Sequence, residues 1–340
     1  MEYKIAIVGE AWGEEEEKTR TPFVGAAGHA LSSMLGEAGI SRRECFLTNV
    51  FNLRPPRNKI EALCGPKKEG LAGYPALMGG KHVRAEFATE LNRLGDEIIR
   101  VNPNTIIALG NTAMWALLGR AAISKFRGTT EISTHTVTGY KVLPTYHPSF
   151  IIRGQWATRP VVILDLQKAL RESEFPELRR PAREIWIEPI LEDIHEFIRR
   201  YVLDCERVAV DIETSGSQIT CIGFAPGPTA AIVIPFVRPG RKDRNYWATD
   251  KLERAVWDAI ANVLGNAHIR KTFQNGLYDI AFLWRALGIK VMGAEHDTML
   301  LHHCLQPESL KSLGFLGSIY TDEGAWKHMR KRNPTIKADS

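Results

Sequence analysis

The fold of this chain is decided by its opening, residues 4–31, which read KIAIVGEAWGEEEEKTRTPFVGAAGHAL. The apolar run KIAIVGE predicts a buried strand that ends at a turn-forming glycine, and the apolar spacing of residues 27–40 predicts a helix after it. Apolar strands at 44–53 and 104–110 repeat the pattern, and the second leads into a helix at 111–119. Strands that alternate with helices predict a three-layer α/β domain with a parallel sheet, in which ligands gather at the carboxyl ends of the strands.

The rest of the chain completes the first domain and then predicts a second α/β domain with a sheet of its own. Residues 131–149 predict a hairpin about positions 138–139. Residues 175–189 carry three prolines and several charges, which indicates a linker or a short strand at a domain edge. A hydrophobic strand, RVAVDIETSG, begins at Arg207, and meander strands and helices follow it. We therefore expect a first domain at 1–174, a linker at 175–195 and a second domain at 196–340.

Composition limits the classes of protein that fit. Hydrophobic residues make up 44% and charged residues 24% of 340 residues, which is the balance of a soluble two-domain protein. No apolar run reaches the roughly 20 residues of a membrane span, and the acidic start lacks the basic region of a signal peptide, so we expect a cytoplasmic protein without membrane contact. The five cysteines lie far apart without a CxxC pair, which indicates neither disulfides nor zinc. A net charge of +5 permits binding to nucleic acid without requiring it.

Acidic side chains in two distant segments have the spacing of a metal site. Asp211 and Glu213 stand two apart on a strand, so both project from one face. Asn275 and Asp279 stand four apart where a helix begins, so they share a helical face that can bring a third carboxylate to the same cations. Two Mg²⁺ or Mn²⁺ ions about 4 Å apart would then activate a water for phosphodiester cleavage. Taken singly, the strand-ending acids also fit a solvated edge, and the second segment also fits a turn with a helix cap.

These segments belong to a longer resemblance. In order, the chain contains VAVDIETSG, KTFQNGLYDIAFLW, HDTMLLHHCLQPE and KSLGFLGSIYTDEGAW. Across about residues 205–330 it resembles the exonuclease domain of family A DNA polymerases, a ribonuclease H-like fold with a mixed sheet. The resemblance implies a 3'→5' exonuclease whose first motif is Asp211 and Glu213 and whose second motif is Asn275 and Asp279. It also implies that the three acids bind Mg²⁺ or Mn²⁺.

The same resemblance exposes one departure. The family carries a third motif, a Tyr or His four residues before an Asp, which supplies a further carboxylate and orients the attacking water. After Trp326 this chain offers only Thr335 and Asp339. The resemblance also makes Asp297 a helix cap rather than a ligand. The second domain is therefore either an inactive remnant or one piece of a split polymerase whose missing helix arrives on another polypeptide.

Four segments of the first domain resemble another family. In order, they are GEAWGEEEEKTRTPFVGAAGHAL, LTNVFNLRPP, IIALGNTA and TYHPSF. They resemble family 4 uracil-DNA glycosylases, and the related domains fused to the front of some phage DNA polymerases, across about residues 1–172. The resemblance implies that Glu10 positions water or stabilises the cationic sugar, Phe23 stacks on uracil, Asn49 pairs with the pyrimidine edge and His147 donates to a uracil oxygen. Taken singly, Phe23 also fits a core residue, Asn49 a turn residue and His147 a loop histidine.

Two departures separate this chain from typical family 4 members. Those members hold a four-cysteine iron-sulfur cluster, but this chain begins too late for the first cysteine pair and has Leu53 at a ligand position, so we expect no cluster. Trp12 replaces the usual proline beside the expected pocket. We expect the acidic run Glu14–Glu17 to be a solvated helical start without a chemical role, and backbone amides of the turn at 9–13 to bind phosphate.

Three functions remain open at this stage. The first is the front end of a phage-type family A DNA polymerase, with a metal-dependent 3'→5' exonuclease domain and a DNA-binding, uracil-recognising domain. The second is a non-catalytic DNA-binding accessory subunit of a split polymerase. The third is a free-standing uracil-DNA glycosylase. All three imply DNA as a partner, as a single strand or a primer end, in the cytoplasm of a bacterial or phage-infected cell, and the first two allow a polymerase subunit on a separate chain.

Overall fold

The computed structural model describes residues 3–238 and 245–325, which fold as two compact units. Of the described residues, the first unit holds those up to Arg179 together with 314–325, and the second unit holds those from Arg180 to Leu313. Within the described ranges, no helix is both long enough and apolar enough to cross a bilayer. Each unit has its own sheet and its own hydrophobic core.

The first unit alternates strands and helices. Its strands are β1 (Ile5–Ala11), β2 (Cys45–Phe51), β3 (Cys64–Gly65), β4 (His82–Val83), β5 (Thr105–Leu109), β6 (Glu131–Thr134) and β7 (Thr138–Thr145). Its helices are α1 (Glu14–Thr19), α2 (Ala26–Glu37), α3 (Ala88–Val101), α4 (Gly110–Leu118), α5 (Ile123–Phe126), α6 (Pro148–Ile152) and α7 (Arg159–Glu172). The main sheet has the order β2-β1-β5-β7-β6 and is parallel except for β6, while β3 and β4 form a separate two-stranded ribbon.

Two cores, one on each face of this sheet, give the first unit three layers. Successive side chains of a strand point to opposite faces. On β1, Ala6 and Val8 therefore join the core beside α3 and α4, whereas Ile5 and Ile7 join the core beside α2 and α7. The predicted three-layer α/β domain is confirmed, with one antiparallel strand added at its edge.

The second unit has a mixed sheet, as predicted. Its strands are β8 (Glu184–Ile187), β9 (Arg207–Ser215), β10 (Gln218–Ala225), β11 (Ala230–Pro235), β12 (Arg270–Phe273) and β13 (Ala294–Asp297), and its helices are α8 (Leu191–Phe197), α9 (Asp250–Gly265), α10 (Gly276–Leu287) and α11 (Thr298–Leu305). The order is β13-β12-β9-β10-β11-β8, antiparallel on both sides of β10 and parallel elsewhere. Alternate residues of β9 are buried, which leaves the acids of this strand on its exposed face.

The structure divides the chain differently from the expected boundaries. Within the stretch 175–189, expected as a linker or a short strand at a domain edge, residues 184–187 form β8, which confirms the edge-strand alternative. This strand lies at the edge of the second sheet, pairs in parallel with β11 and packs Trp186 against the second core. From Gly314 the chain belongs to the first unit, where α12 (Leu313–Tyr320) buries Leu316. The hairpin turns at residues 135–137 and not at 138–139, because β7 already begins at Thr138. Thr335 and Asp339 lie outside the described residues.

Candidate functional sites

Four residues named from the sequence meet in one cavity of the first unit. Glu10, Phe23, Asn49 and His147 all line a space of about 450 Å³. Glu10 lies near the end of β1, Asn49 lies on β2, and His147 follows β7. Because these strands are parallel, their carboxyl ends open at the same edge of the sheet. The cavity is therefore where an α/β fold of this kind places a ligand.

Glycine at position 9 allows the side chains of the cavity to approach one another. Asn49 is paired in register with Gly9 across the sheet. A β-carbon on Gly9 would lie 2.2 Å from Asn49 Oδ1 and 2.5 Å from Phe23 Cζ, far inside van der Waals contact. Phe23 itself has a left-handed backbone with φ of 58°, and Arg42 Nη2 donates to its carbonyl oxygen at 2.8 Å. Strain of this kind persists only where the surroundings fix it, and it concentrates at functional sites.

The hydrogen bonds of His147 fix its tautomer. Its Nδ1 accepts from the backbone N–H of Ser149 at 3.2 Å, and a backbone N–H can only donate. The neutral ring therefore carries its proton on Nε2. Burial lowers the pKa of His147 to about 4, and Arg153 acts in the same direction. At neutral pH the ring is an uncharged hydrogen-bond donor, and the Phe23 ring stacks beside it with ring centroids 6.3 Å apart.

Glu10 has a partner that the sequence did not reveal. Thr112, in the first turn of α4, donates its hydroxyl to Glu10 Oε2 at 2.5 Å. Burial raises the pKa of Glu10, and the hydrogen bond from Thr112 opposes that rise. The Glu10 carboxylate is thus oriented and partly desolvated. Both properties strengthen its interaction with a nearby positive charge.

Glu16 corrects the expectation for the acidic run. Its side chain is only 9% exposed, and it lines the same cavity. Glu16 Oε1 accepts from the backbone N–H groups of Val24 and Gly25, at 3.0 and 2.9 Å, and Oε2 accepts from Gly13 at 3.2 Å. Glu16 therefore ties the turn after β1 to the loop that carries Phe23. One amide of the turn expected to bind phosphate is already used by this carboxylate.

The thiols of the first unit do not fit a four-cysteine cluster. The first unit has two cysteines in its described part, Cys45 on β2 and Cys64 on β3. Each thiol donates to a carbonyl four residues earlier, and burial raises the pKa of Cys45 to about 12. Cluster ligands are thiolates. Leu53 packs against the apolar core, so this region is held together by apolar contacts.

In the second unit, one of the three predicted acids is buried against the strand that carries the other two. Asp211 and Glu213 lie on the exposed face of β9. Asp279, in the first turn of α10, is 5% exposed, and its Oδ1 accepts from the backbone N–H of Ile212 at 3.0 Å. The pairing between β12 and β9 ends at Thr272 and Ala209, so the N–H of Ile212 lies beyond the residues that pair with β12. Burial raises the pKa of Asp279 to about 6, and the charge of Asp211 adds to the rise.

Asn275 of the second motif is joined by a hydrogen bond to Asp297, which precedes the next helix. Asn275 has a left-handed backbone with φ of 61° and precedes α10, so it does not continue the helical face of Asp279. Asp297 is a helix cap, which confirms the prediction for this residue. Its Oδ1 accepts from Met299 and Leu300 at the start of α11, and its two oxygens also accept from the backbone N–H groups at 275 and 276.

The conformation shown does not complete a cation site. Within the described ranges, no three or more Asp, Glu, His or Cys side chains are arranged to hold one metal ion. Asp279 has given one oxygen to a backbone N–H. The three acids as they stand therefore do not fit a shared cation. A neighbouring polar contact, missed from the sequence, joins the hydroxyl groups of Thr214 and Tyr278 at 2.7 Å.

The structure thus contains two units, one with a cavity at the carboxyl ends of parallel strands and one with two acids on an exposed strand face, and both units match families that act on DNA. Residues 2–171 match the uracil DNA glycosylase superfamily, and residues 190–327 match a 3'-5' exonuclease family that generally uses divalent metals. The chain belongs to the uracil DNA glycosylase superfamily and carries a 3'-5' exonuclease domain after it.

Individual proteins are similar to parts of this chain or to most of it. The Thermotoga maritima type-4 uracil-DNA glycosylase is 34% identical over 172 residues, which are 50% of this chain and 77% of that protein. A DNA polymerase of Bacillus phage SP01 is 24% identical over 323 residues, which cover 88% of this chain but 32% of the polymerase. Among solved structures, Brucella melitensis NrnC is 19% identical over 42% of this chain and 63% of that one, with a TM-score of 0.29.

Proposed function

We propose that the first unit excises uracil from DNA. The observation that carries the proposal is the convergence of Glu10, Phe23, Asn49 and His147 on one cavity of about 450 Å³. Enzymes that act on a base in DNA take it out of the stack into such a pocket. The similarity to type-4 uracil-DNA glycosylases supports the same reaction.

Each group of the cavity has a place in this reaction. As the C1'–N1 bond of deoxyuridine breaks, the sugar becomes positive and uracil becomes negative. The neutral His147 donates its Nε2–H to the uracil oxygen, where charge develops and a preorganised donor is worth most. The Glu10 carboxylate stabilises the sugar cation or positions the attacking water. Phe23 stacks on the base, and the amide of Asn49 reads its edge.

The reaction is tested with a labelled single-stranded oligonucleotide that contains one uracil. Abasic sites, revealed by alkaline cleavage, are expected in EDTA as readily as in Mg²⁺, because each role in the proposed reaction is assigned to a side chain of the cavity. A matched oligonucleotide with thymine is expected to remain intact. Asn49→Ala should lower the excision rate by at least about tenfold, because the uracil edge then loses its partner. Intact uracil DNA in every condition would contradict the proposal.

We also propose that the second unit cleaves DNA from the 3' end, with Asp211, Glu213, Asp279 and Asn275 as its functional residues and Mg²⁺ or Mn²⁺ as its cofactor. The supporting observation is the position of the buried Asp279 carboxylate against β9, between the two exposed acids of that strand. Because the conformation shown does not complete a cation site, we propose that a polymerase polypeptide on a separate chain completes it, as part of a phage-type replication system in the cytoplasm.

One assay separates this second proposal from a non-catalytic accessory role. A 3'-labelled primer end is incubated with the protein in Mg²⁺, in Mn²⁺ and in EDTA. Release of mononucleotides that stops in EDTA supports the exonuclease. Retarded DNA in a gel without any product, in all three conditions, supports an accessory subunit that holds single strands or primer ends.

A further inference from the structure

A short segment that follows the second unit in sequence is folded into the first. We define this returning segment as residues 314–321, most of α12 and the residue after it. Leu316 and Ser318 are 4% and 6% exposed, so the segment is embedded and not merely attached. The exonuclease family match extends to residue 327, beyond the point where the chain enters the first unit. The segment thus belongs to the second unit by sequence and to the first by structure.

Arg127 joins the returning segment to the body of the first unit. Its Nη1 donates to Ser318 Oγ at 2.8 Å, and its guanidinium lies 5.3 Å from the centre of the Phe315 ring. Its Nε donates to Asp165 Oδ2 at 2.9 Å, and Nη2 pairs with the other oxygen of the same carboxylate. Both members of this ion pair are 1% exposed. A buried ion pair keeps its geometry only when the remaining donors and acceptors are also satisfied.

Asp165 links Arg127 to the strand that precedes His147. Its Oδ2 also accepts from the Thr145 hydroxyl at 2.6 Å. Thr145 is fully buried and is the last residue of β7, two residues before His147. A continuous series of hydrogen bonds therefore runs from Ser318 through Arg127 and Asp165 to the end of β7.

A second buried cation depends on the same segment. Lys168 Nζ donates to the carbonyl oxygens of Gly128, Ser318 and Thr321, at 2.8, 3.1 and 2.5 Å. Two of these three acceptors belong to the returning segment. Burial of an ammonium group is costly unless its donors are paired. Without the segment, the first unit would have to admit water or rearrange around Lys168 and Arg127.

We propose that the returning segment is a positioning element for His147. By completing the partners of Arg127 and Lys168 it fixes Asp165 and Thr145, and hence the end of β7 from which His147 reaches the cavity. The proposal rests on uracil excision by the first unit and adds a dependence on residues outside the glycosylase match. Residues 314–321 are not among the residues that line the cavity, so we expect their effect to be on position and not on chemistry.

The test uses the full chain with two pairs of substitutions. Leu316→Glu places a charge at a buried position and should release the segment, and its control is Leu310→Glu, where the leucine is 63% exposed. Ser318→Ala removes the oxygen that Arg127 binds, and Ser318→Thr keeps it. Uracil excision is measured under single turnover, together with uracil-DNA affinity by fluorescence anisotropy. We expect Leu316→Glu to slow excision by at least about tenfold and Ser318→Ala by about threefold, with affinity nearly unchanged and both control variants close to wild type.

A second readout does not depend on excision. In wild type, nitrogen NMR of the imidazole should show His147 neutral down to about pH 4. In Leu316→Glu and Ser318→Ala the pKa of His147 should rise, because water reaches its ring. The charged neighbours of the ring, Arg153 and Glu16, are the same in every variant, so they do not cause such a shift. If wild type fails to excise uracil but this shift is seen, the glycosylase proposal fails and the positioning role stands. If both variants are folded by circular dichroism and keep the wild-type rate and titration, the positioning role is overturned. Should Leu316→Glu not fold, the Ser318 pair decides alone.

Discussion

The cavity of the first unit and the acidic strand of the second differ in how far the protein alone assembles them. In the first unit, side chains from β1, β2 and two loops are packed to atomic contact around Gly9. In the second, Asp211 and Glu213 lie on an exposed strand face while Asp279 is turned to a backbone N–H. The difference shows that one site is set by packing and the other is left open.

Charge explains the difference. In the cavity, Glu10 accepts from Thr112 and Glu16 accepts from backbone N–H groups, and Arg153 lines the same space, so the buried carboxylates are compensated within the unit itself. Three carboxylates brought within reach of one another repel, and such a group converges only when a positive charge compensates it. The raised pKa of Asp279, to about 6, reflects burial first and the neighbouring acids Asp211 and Asp297 in addition. We therefore expect the two sites to respond differently to metal ions, to the loss of a side chain and to a methyl group added at a glycine.

The largest effect is expected where a proposed cation ligand of the second unit is removed. Asp211→Ala should lower metal-dependent release of nucleotides by at least about a thousandfold, because a bound cation contributes several kcal/mol to such a reaction. Uracil excision by the same protein should be unchanged. Asp204→Ala, at an exposed acid of the same unit, is the control. Cleavage that survives Asp211→Ala at the wild-type rate would place the nuclease centre elsewhere.

His147→Ala tests the assembled site in the same way. Loss of a preorganised donor to a developing negative charge costs about 10²- to 10³-fold in rate. Excision should fall by that factor in EDTA and in Mg²⁺ alike, and release of nucleotides should not change. His29→Ala, at an exposed position on α2, provides a histidine control. If excision persists in His147→Ala, the donor to the uracil oxygen is another group of the cavity.

The sequence predicted the assembled site better than the open one. The apolar run KIAIVGE predicted the buried first strand, and the resemblance of the four ordered segments to glycosylases indicated which residues share the cavity. Thr112 and Glu16 were not foreseen, because their partners become neighbours only after folding. The backbone of Asn275 was not foreseen either, since a left-handed residue before α10 leaves no mark in spacing. The returning segment was assigned to the second domain because an apolar helix does not reveal which core it joins.

The pH dependence of excision should belong to Glu10. Burial raises its pKa above 4.5, and the ionised form is the one that stabilises the sugar cation, so the rate should fall as the pH drops through that raised value. His147 protonates lower, near pH 4. Glu10→Gln should reduce the rate by about a hundredfold at neutral pH and remove the upper part of this acid limb. An acid limb that is the same in wild type and Glu10→Gln would assign it to a different group.

The smallest effect in this series measures packing directly. Gly9→Ala adds one methyl group, and its β-carbon would lie 2.2 Å from Asn49 Oδ1, so the cavity must widen. We expect excision to slow by about tenfold, and the free energy of unfolding to fall by about 1–3 kcal/mol. Gly223 lies opposite Asp211 on β10, and a β-carbon there would meet nothing closer than 3.9 Å. Gly223→Ala should therefore leave nuclease activity and stability nearly unchanged. The reaction rates and the free energy of unfolding in urea are measured for both variants. If Gly9→Ala loses as little rate and stability as Gly223→Ala, the cavity is no more tightly packed than the acidic strand.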